Sequence, residues 1–83
     1  MKKVTVLYFA AIRDLTGTAQ EQLDVADSIE TVRDLLEQLT SHRATLRNHL
    51  SSIRIAKNET FVDLCESLDD GDVVALIPPV QGG

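Results

Sequence analysis

LDDGDVVALIPPVQGG, residues 68–83, passes from an acidic turn through an apolar strand to a proline stop and an end without side chains. Val73 to Ile77 is a near-continuous apolar run, the pattern of a central strand covered on both faces. Asp69-Asp70-Gly71-Asp72 reads as the turn leading into it, with Gly71 supplying the positive φ of a sharp reversal. Pro78 and Pro79 lack an amide donor and fix φ, so sheet pairing stops there. The expected organisation is a folded domain over residues 1–77 and an extended tail over residues 78–83. Gly82 and Gly83 carry no Cβ, so the end of the chain could enter a channel too narrow for other residues. The competing reading is an ordinary exposed end with no task, because termini are loosely held.

A central strand needs neighbours, and Lys3 to Phe9 (KVTVLYF) is the other strongly apolar strand pattern. Alternation puts Val4, Val6 and Tyr8 on one face and Thr5, Leu7 and Phe9 on the other, so both faces are largely apolar. One must meet the core; the other is covered by a further element or left as a patch for a partner. Ala10 to Thr16 can make a turn or two of helix before Gly17, and Ala19 to Val25 alternates weakly as an edge strand with Leu23 and Val25 inward. Thr31 is set as an N-cap, with Asp34 three residues on as an imperfect capping box. Val32, Leu35, Leu36 and Leu39 follow at helical spacing, which predicts the main helix over residues 31–40. A weaker helical pattern spans Arg43 to Leu50, a short strand Ile53 to Ala56, a turn Lys57 to Thr60, and an extended pair Phe61-Val62. Leu64 to Leu68 reads as a short helical turn with both leucines inward. The fold class is therefore α+β, a mixed sheet of about four to five strands under one main helix, with the first and last strands central.

The 83 residues suit a single domain with a modest core, and 43% hydrophobic with 25% charged residues is ordinary for a globular chain. A formal net charge of -5 argues against nucleic acid as a partner and is compatible with a basic docking surface or simply with solubility. No apolar stretch is long enough to span a bilayer, and Met1-Lys2-Lys3 runs directly into a strand, so a cytoplasmic setting is expected. The single cysteine, Cys65, excludes an internal disulfide and reads as a small packed hydrophobe. His42 and His49 have no further ligands at metal-site spacing, and Asp69, Asp70 and Asp72 lack the loop of a calcium site, so no metal is expected. No nucleophile, base or cofactor site stands out, and catalytic groups are expected on partners.

Three segments together resemble the small, sulfur-carrying subunit family of molybdopterin synthase, within the ubiquitin-like β-grasp superfamily. They are YFAAIRDLTG at residues 8–17, the TVRDLLEQL helix at residues 31–39, and the strand, Pro-Pro and Gly-Gly of residues 68–83. The resemblance implies that a ubiquitin-activating-like adenylyltransferase uses ATP to convert the Gly83 carboxylate into an AMP ester. A sulfur donor protein then turns this into a thiocarboxylate. It implies that the tail, Pro78, Pro79, Val80, Gln81, Gly82 and Gly83, enters the large synthase subunit, where the sulfur helps build a dithiolene on a cyclic pyranopterin precursor. Leu7, Phe9 and Arg13 would belong to the partner interface. The family implies a heterotetramer with two carriers at the ends of a large-subunit dimer. Residues 53–59, Ile53-Arg54-Ile55-Ala56-Lys57-Asn58-Glu59, depart from the more apolar strand usual there. Other readings stay open on the residues: a sulfur carrier for thiamine thiazole synthesis or tRNA thiolation, a ubiquitin-like modifier, or an interaction domain with an inert tail.

Overall fold

Thr31 organises the main helix as its position predicts. Its hydroxyl accepts the Asp34 amide at 3.2 Å, and the Asp34 carboxylate accepts the Thr31 amide at 3.2 Å and the Glu30 amide at 3.1 Å. Aspartate thus closes a full reciprocal capping box, a role more usual for the longer Glu or Gln. In this computed structural model, which describes residues 1–79, the elements in chain order are β1 (Lys2–Tyr8), α1 (Ala10–Thr16), β2 (Gln20–Val25) and α2 (Val32–His42), then a 3-10 helix (Ala44–His49), β3 (Arg54–Lys57), β4 (Thr60–Val62) and β5 (Val73–Ile77).

The sheet order is β2-β1-β5-β3-β4, with β1 and β5 parallel and every other pair antiparallel. The first and last strands are therefore adjacent and central, as their composition requires. Val4, Val6 and Tyr8 of β1, Val74 and Leu76 of β5 and Ile55 of β3 face α2, which contributes Val32, Leu35, Leu36 and Leu39. Ile12 and Leu46 fasten α1 and the 3-10 helix to the same core. The helix covers one face of the sheet only.

Two turns hold the strands in register. Gly71, at φ 88°, donates its amide to the Lys3 carbonyl at 2.7 Å, and the Thr5 amide donates to the Asp72 carbonyl at 3.0 Å. The buried Asp72 carboxylate accepts the Asp69 amide at 2.7 Å and the Asn58 side-chain amide at 3.0 Å. Asn58 completes the link by accepting the Val73 amide on its Oδ1 at 2.9 Å.

The segment 63–68 differs from the helical turn its leucines suggest. Its Leu64 and Glu66 carbonyls accept the Arg33 and Val32 amides at 3.0 and 2.9 Å, so it serves as a cap for the first turn of α2. Ser67 forms an isolated bridge with Thr31. Leu68 is buried, but Leu64 is exposed, and Cys65 is exposed instead of packed. Backbone demand at the helix start fixes which way this segment turns, and apolar spacing does not reveal that demand.

Candidate functional site

Because β1 gives Val4, Val6 and Tyr8 to the core, Thr5 and Leu7 must stand on the opposite sheet face. The register extends that face across the sheet: Leu7 is level with Ala75 of β5, Ala75 with Ala56 of β3, and Ala56 with Phe61 of β4. Two alanines between larger neighbours leave a depression of about 450 Å³ lined by Leu7, Phe9, Ala56, Phe61, Ala75 and Ile77. Phe9 is 45% exposed and Phe61 56% exposed, large values for phenylalanine. The uncovered second face of β1 is therefore an open apolar patch, and Leu7 and Phe9 both lie on it. Phe61 was not legible as a member, since Phe61-Val62 is too short to show which residue points where.

The parallel pairing of β1 with β5 brings the ends of both strands to one edge. Tyr8 is level with Leu76, so Phe9 and the tail root, Ile77-Pro78-Pro79, emerge together. Between them lies a second hollow of about 760 Å³, lined by Phe9, Ala10, Ala11, Ile77, Pro78 and Pro79, with His49 and Ser52 at its margin. Phe9 and Ile77 form the ridge common to both hollows. The chain leaves β1 through Ala10 at φ 48°, a conformation disfavoured for a residue with a Cβ. This turn directs Phe9 outward while Ile12, one turn on, is buried. Gly17, at φ 78°, ends α1 by donating its amide to the Arg13 carbonyl at 2.8 Å. Arg13 is exposed on α1 and lines neither hollow. Val80, Gln81, Gly82 and Gly83 lie outside the described residues.

Charge near this face is sparse. Arg54 stands with its guanidinium carbon 4.2 Å from the Phe61 ring centroid, and Glu59 borders the depression from the β3–β4 turn. On the core side, Glu21 pairs with Arg43, which also donates to the Thr16 carbonyl at 3.3 Å. Beneath them the Tyr8 hydroxyl is buried without a hydrogen-bond partner among the described residues. Burial, reinforced by the Glu21 charge and opposed by Arg43, pushes its pKa up to about 12. These groups belong to the packing. Among the described residues no three His, Cys, Asp or Glu side chains converge as a metal site, and no helix is long and apolar enough to cross a membrane.

A mixed five-stranded sheet in this order, a helix across one face and an open apolar face beside a proline-marked exit define a ubiquitin-like β-grasp domain. The ThiS family model matches residues 6–83. The chain is 39% identical over 84 residues to the molybdopterin synthase sulfur carrier subunit of Mycobacterium tuberculosis, covering 100% of both chains. Its structure is similar to a putative molybdopterin converting factor subunit 1 of Pyrococcus furiosus, with a TM-score of 0.85 and 33% identity over 96% of this chain and 100% of that one. It is also similar to a chain in the complex of subunits 1 and 2 of the molybdopterin-converting factor of Helicobacter pylori, with a TM-score of 0.70 and 28% identity over 98% and 99% of the two chains. The chain belongs to the ThiS family of sulfur carriers.

Proposed function

We propose that this chain is the sulfur-carrying subunit of a molybdopterin synthase, acting in the cytoplasm, and that Gly83 bears the sulfur. The observation that carries the reading is the full-length correspondence, tail included, with the mycobacterial sulfur carrier subunit. The open apolar face beside the tail root supports it, because a carrier must dock before its end can be inserted.

The chemistry follows from the end of the chain. A carboxylate is a poor electrophile, so a Gly83 carboxylate oxygen first attacks the α-phosphorus of ATP within an adenylyltransferase, and pyrophosphate leaves. The terminal sulfur of a donor protein's persulfide then attacks the acyl carbon of this AMP ester and displaces AMP, and a thiol cleaves the resulting acyl disulfide at its S–S bond, leaving the thiocarboxylate on Gly83 and a disulfide between the donor and that thiol. Docking of the Leu7–Phe9–Phe61 face on the large subunit delivers that sulfur to a bound cyclic pyranopterin precursor and makes the reaction effectively intramolecular. The carrier supplies the sulfur and its placement, and the partners supply the catalytic groups. A dithiolene contains a pair of sulfurs, so each product requires a pair of deliveries.

The test is the intact mass of the full chain after incubation with an activating enzyme, ATP and a sulfur donor. The expected result is a gain equal to sulfur replacing oxygen, located at Gly83, followed by product formation on the large subunit with the precursor. A chain that stays at its starting mass, or a loaded chain that the large subunit cannot discharge, refutes the reading.

A further inference from the structure

Arg54 opens β3 in the segment that departs from the apolar strand pattern, and its partner across the ladder is Ile77, the last strand residue before Pro78. Its backbone is level with the root of the tail, but its guanidinium reaches the other way across β3, over Phe61 of β4, in a chain whose net charge is -5. Arg54, like Arg13, Arg33 and Arg47, has no carboxylate at salt-bridge distance among the described residues, and Asp63, which lines two hollows with it, accepts the Cys65 amide at 2.8 Å. The Phe61 ring, 4.2 Å from the Arg54 guanidinium carbon, is what holds Arg54. Phe61 itself borders the apolar depression, so any surface that covers the ring also approaches the guanidinium. Glu59, in the turn at the other end of β3, puts the opposite charge at the far side of Phe61.

From this geometry we infer that Arg54 is a specificity determinant of the docking face, and that the large synthase subunit presents a carboxylate to it where it covers Phe61. The inference rests on the function proposed above. An acidic carrier is steered as a whole toward basic surfaces, and a basic surface would repel Arg54 at this point. Covering a guanidinium without an acceptor leaves a desolvated charge uncompensated, so a partner lacking an acid here is selected against. The stack on Phe61 orients the planar fork in advance, which a lysine could not reproduce. Arg54 and Glu59 together give the face a polarity along β3 that distinguishes the correct docking orientation from its reverse.

The test is calorimetric titration of the full chain into the large subunit at low and high salt, using wild type, Arg54→Ala, Arg54→Lys and Arg54→Glu. Arg33→Glu is the charge-matched control, because Arg33 is exposed on α2, across the sheet from this face. Arg54→Glu is expected to weaken binding by at least about tenfold at low salt, with Arg54→Ala and Arg54→Lys between it and wild type. The gap should narrow at high salt, and Arg33→Glu should stay within about threefold of wild type. Arg54 is exposed, so thermal melts of the variants should match wild type; if Arg54→Glu does not fold, Arg54→Ala decides. The inference is overturned if the Arg54 variants bind like wild type, or if Arg33→Glu loses as much as Arg54→Glu. Wild type that fails to bind the large subunit overturns the proposed function, and the inference with it.

Discussion

Phe61→Ala should separate docking from folding, because the residue divides its area between them. Phe61 is 56% exposed. A phenylalanine side chain offers roughly 200 Å², so on the order of 110 Å² is left for a partner and on the order of 90 Å² is already in contact with the fold. At about 25 cal/mol per Å² the first portion sets a ceiling of about 3 kcal/mol on lost affinity, close to a hundredfold in Kd. The second portion sets a ceiling of about 2 kcal/mol on lost stability. Urea unfolding measures the stability loss, and calorimetric titration with the large subunit measures the affinity loss at a temperature where both proteins are folded. The reasoning is refuted if Phe61→Ala shows the expected stability loss but binds within about threefold of wild type. The exposed half would then face solvent in the complex, and the sheet face would not be the docking surface.

Other expectations follow from particular contacts. Asn58 sits at φ 50° and its side chain bonds both Asp72 and the Val73 amide, so Asn58→Ala should cost about 2–3 kcal/mol in urea unfolding. Glu59 follows at φ 71° in the same two-residue turn, so Glu59→Gly should raise stability by up to about 1 kcal/mol in the same assay. Thr31→Ala should cost about 1 kcal/mol by removing the α2 cap. The Asp34 carboxyl is held below its usual range, chiefly by the Glu30 amide and also by Thr31. Its contribution is present above the unfolded-state value and lost as pH falls through the folded-state value, and Asp34→Asn should flatten that acid limb of stability against pH. Tyr8 gives the opposite limb: below pH 10 both states keep the phenolic proton, and above it the unfolded chain loses the proton first. About 2–3 kcal/mol of stability should disappear as pH rises toward about 12. Tyr8→Phe should remove that part of the alkaline descent.

What sequence reveals here is what short-range periodicity encodes. Val4, Val6 and Tyr8 against Leu7 and Phe9 is a period-two statement, and it correctly separates the core from the open apolar face. Thr31, Asp34 and the leucines of α2 form a statement at periods of three and four, and it places the helix within a residue or two at its ends. The misses all depend on distant backbone. Cys65 and Leu64 were expected inside on local spacing, but residues 63–68 are held by their carbonyls against the start of α2, and that leaves both side chains outside. Asp72 reads as one carboxylate of a solvated turn until Asn58 is brought against it by the pairing of β3 with β5. Phe61 and Arg54 are separated from Leu7 by most of the chain, and only the strand order makes them parts of the same surface.

That strand order also confines the exposed apolar surface to one end of the sheet. Across β1 and β2, the outer face is polar at one end, where Lys3 pairs with Asp24 and Thr5 with Gln22. It becomes apolar only toward Leu7 and Phe9, at the end where β5 gives way to Pro78. Self-association through so small a patch would have to bring two chains of net charge -5 together. A partner with a complementary surface meets no such opposition and gains the apolar contact as well. Parallel pairing of β1 with β5 is what makes this useful, since it sets the sticky end of the face beside the tail root. An antiparallel pairing of the first and last strands would have sent Pro78 and Pro79 away from Phe9, and the proposed docking would then not position the end of the chain.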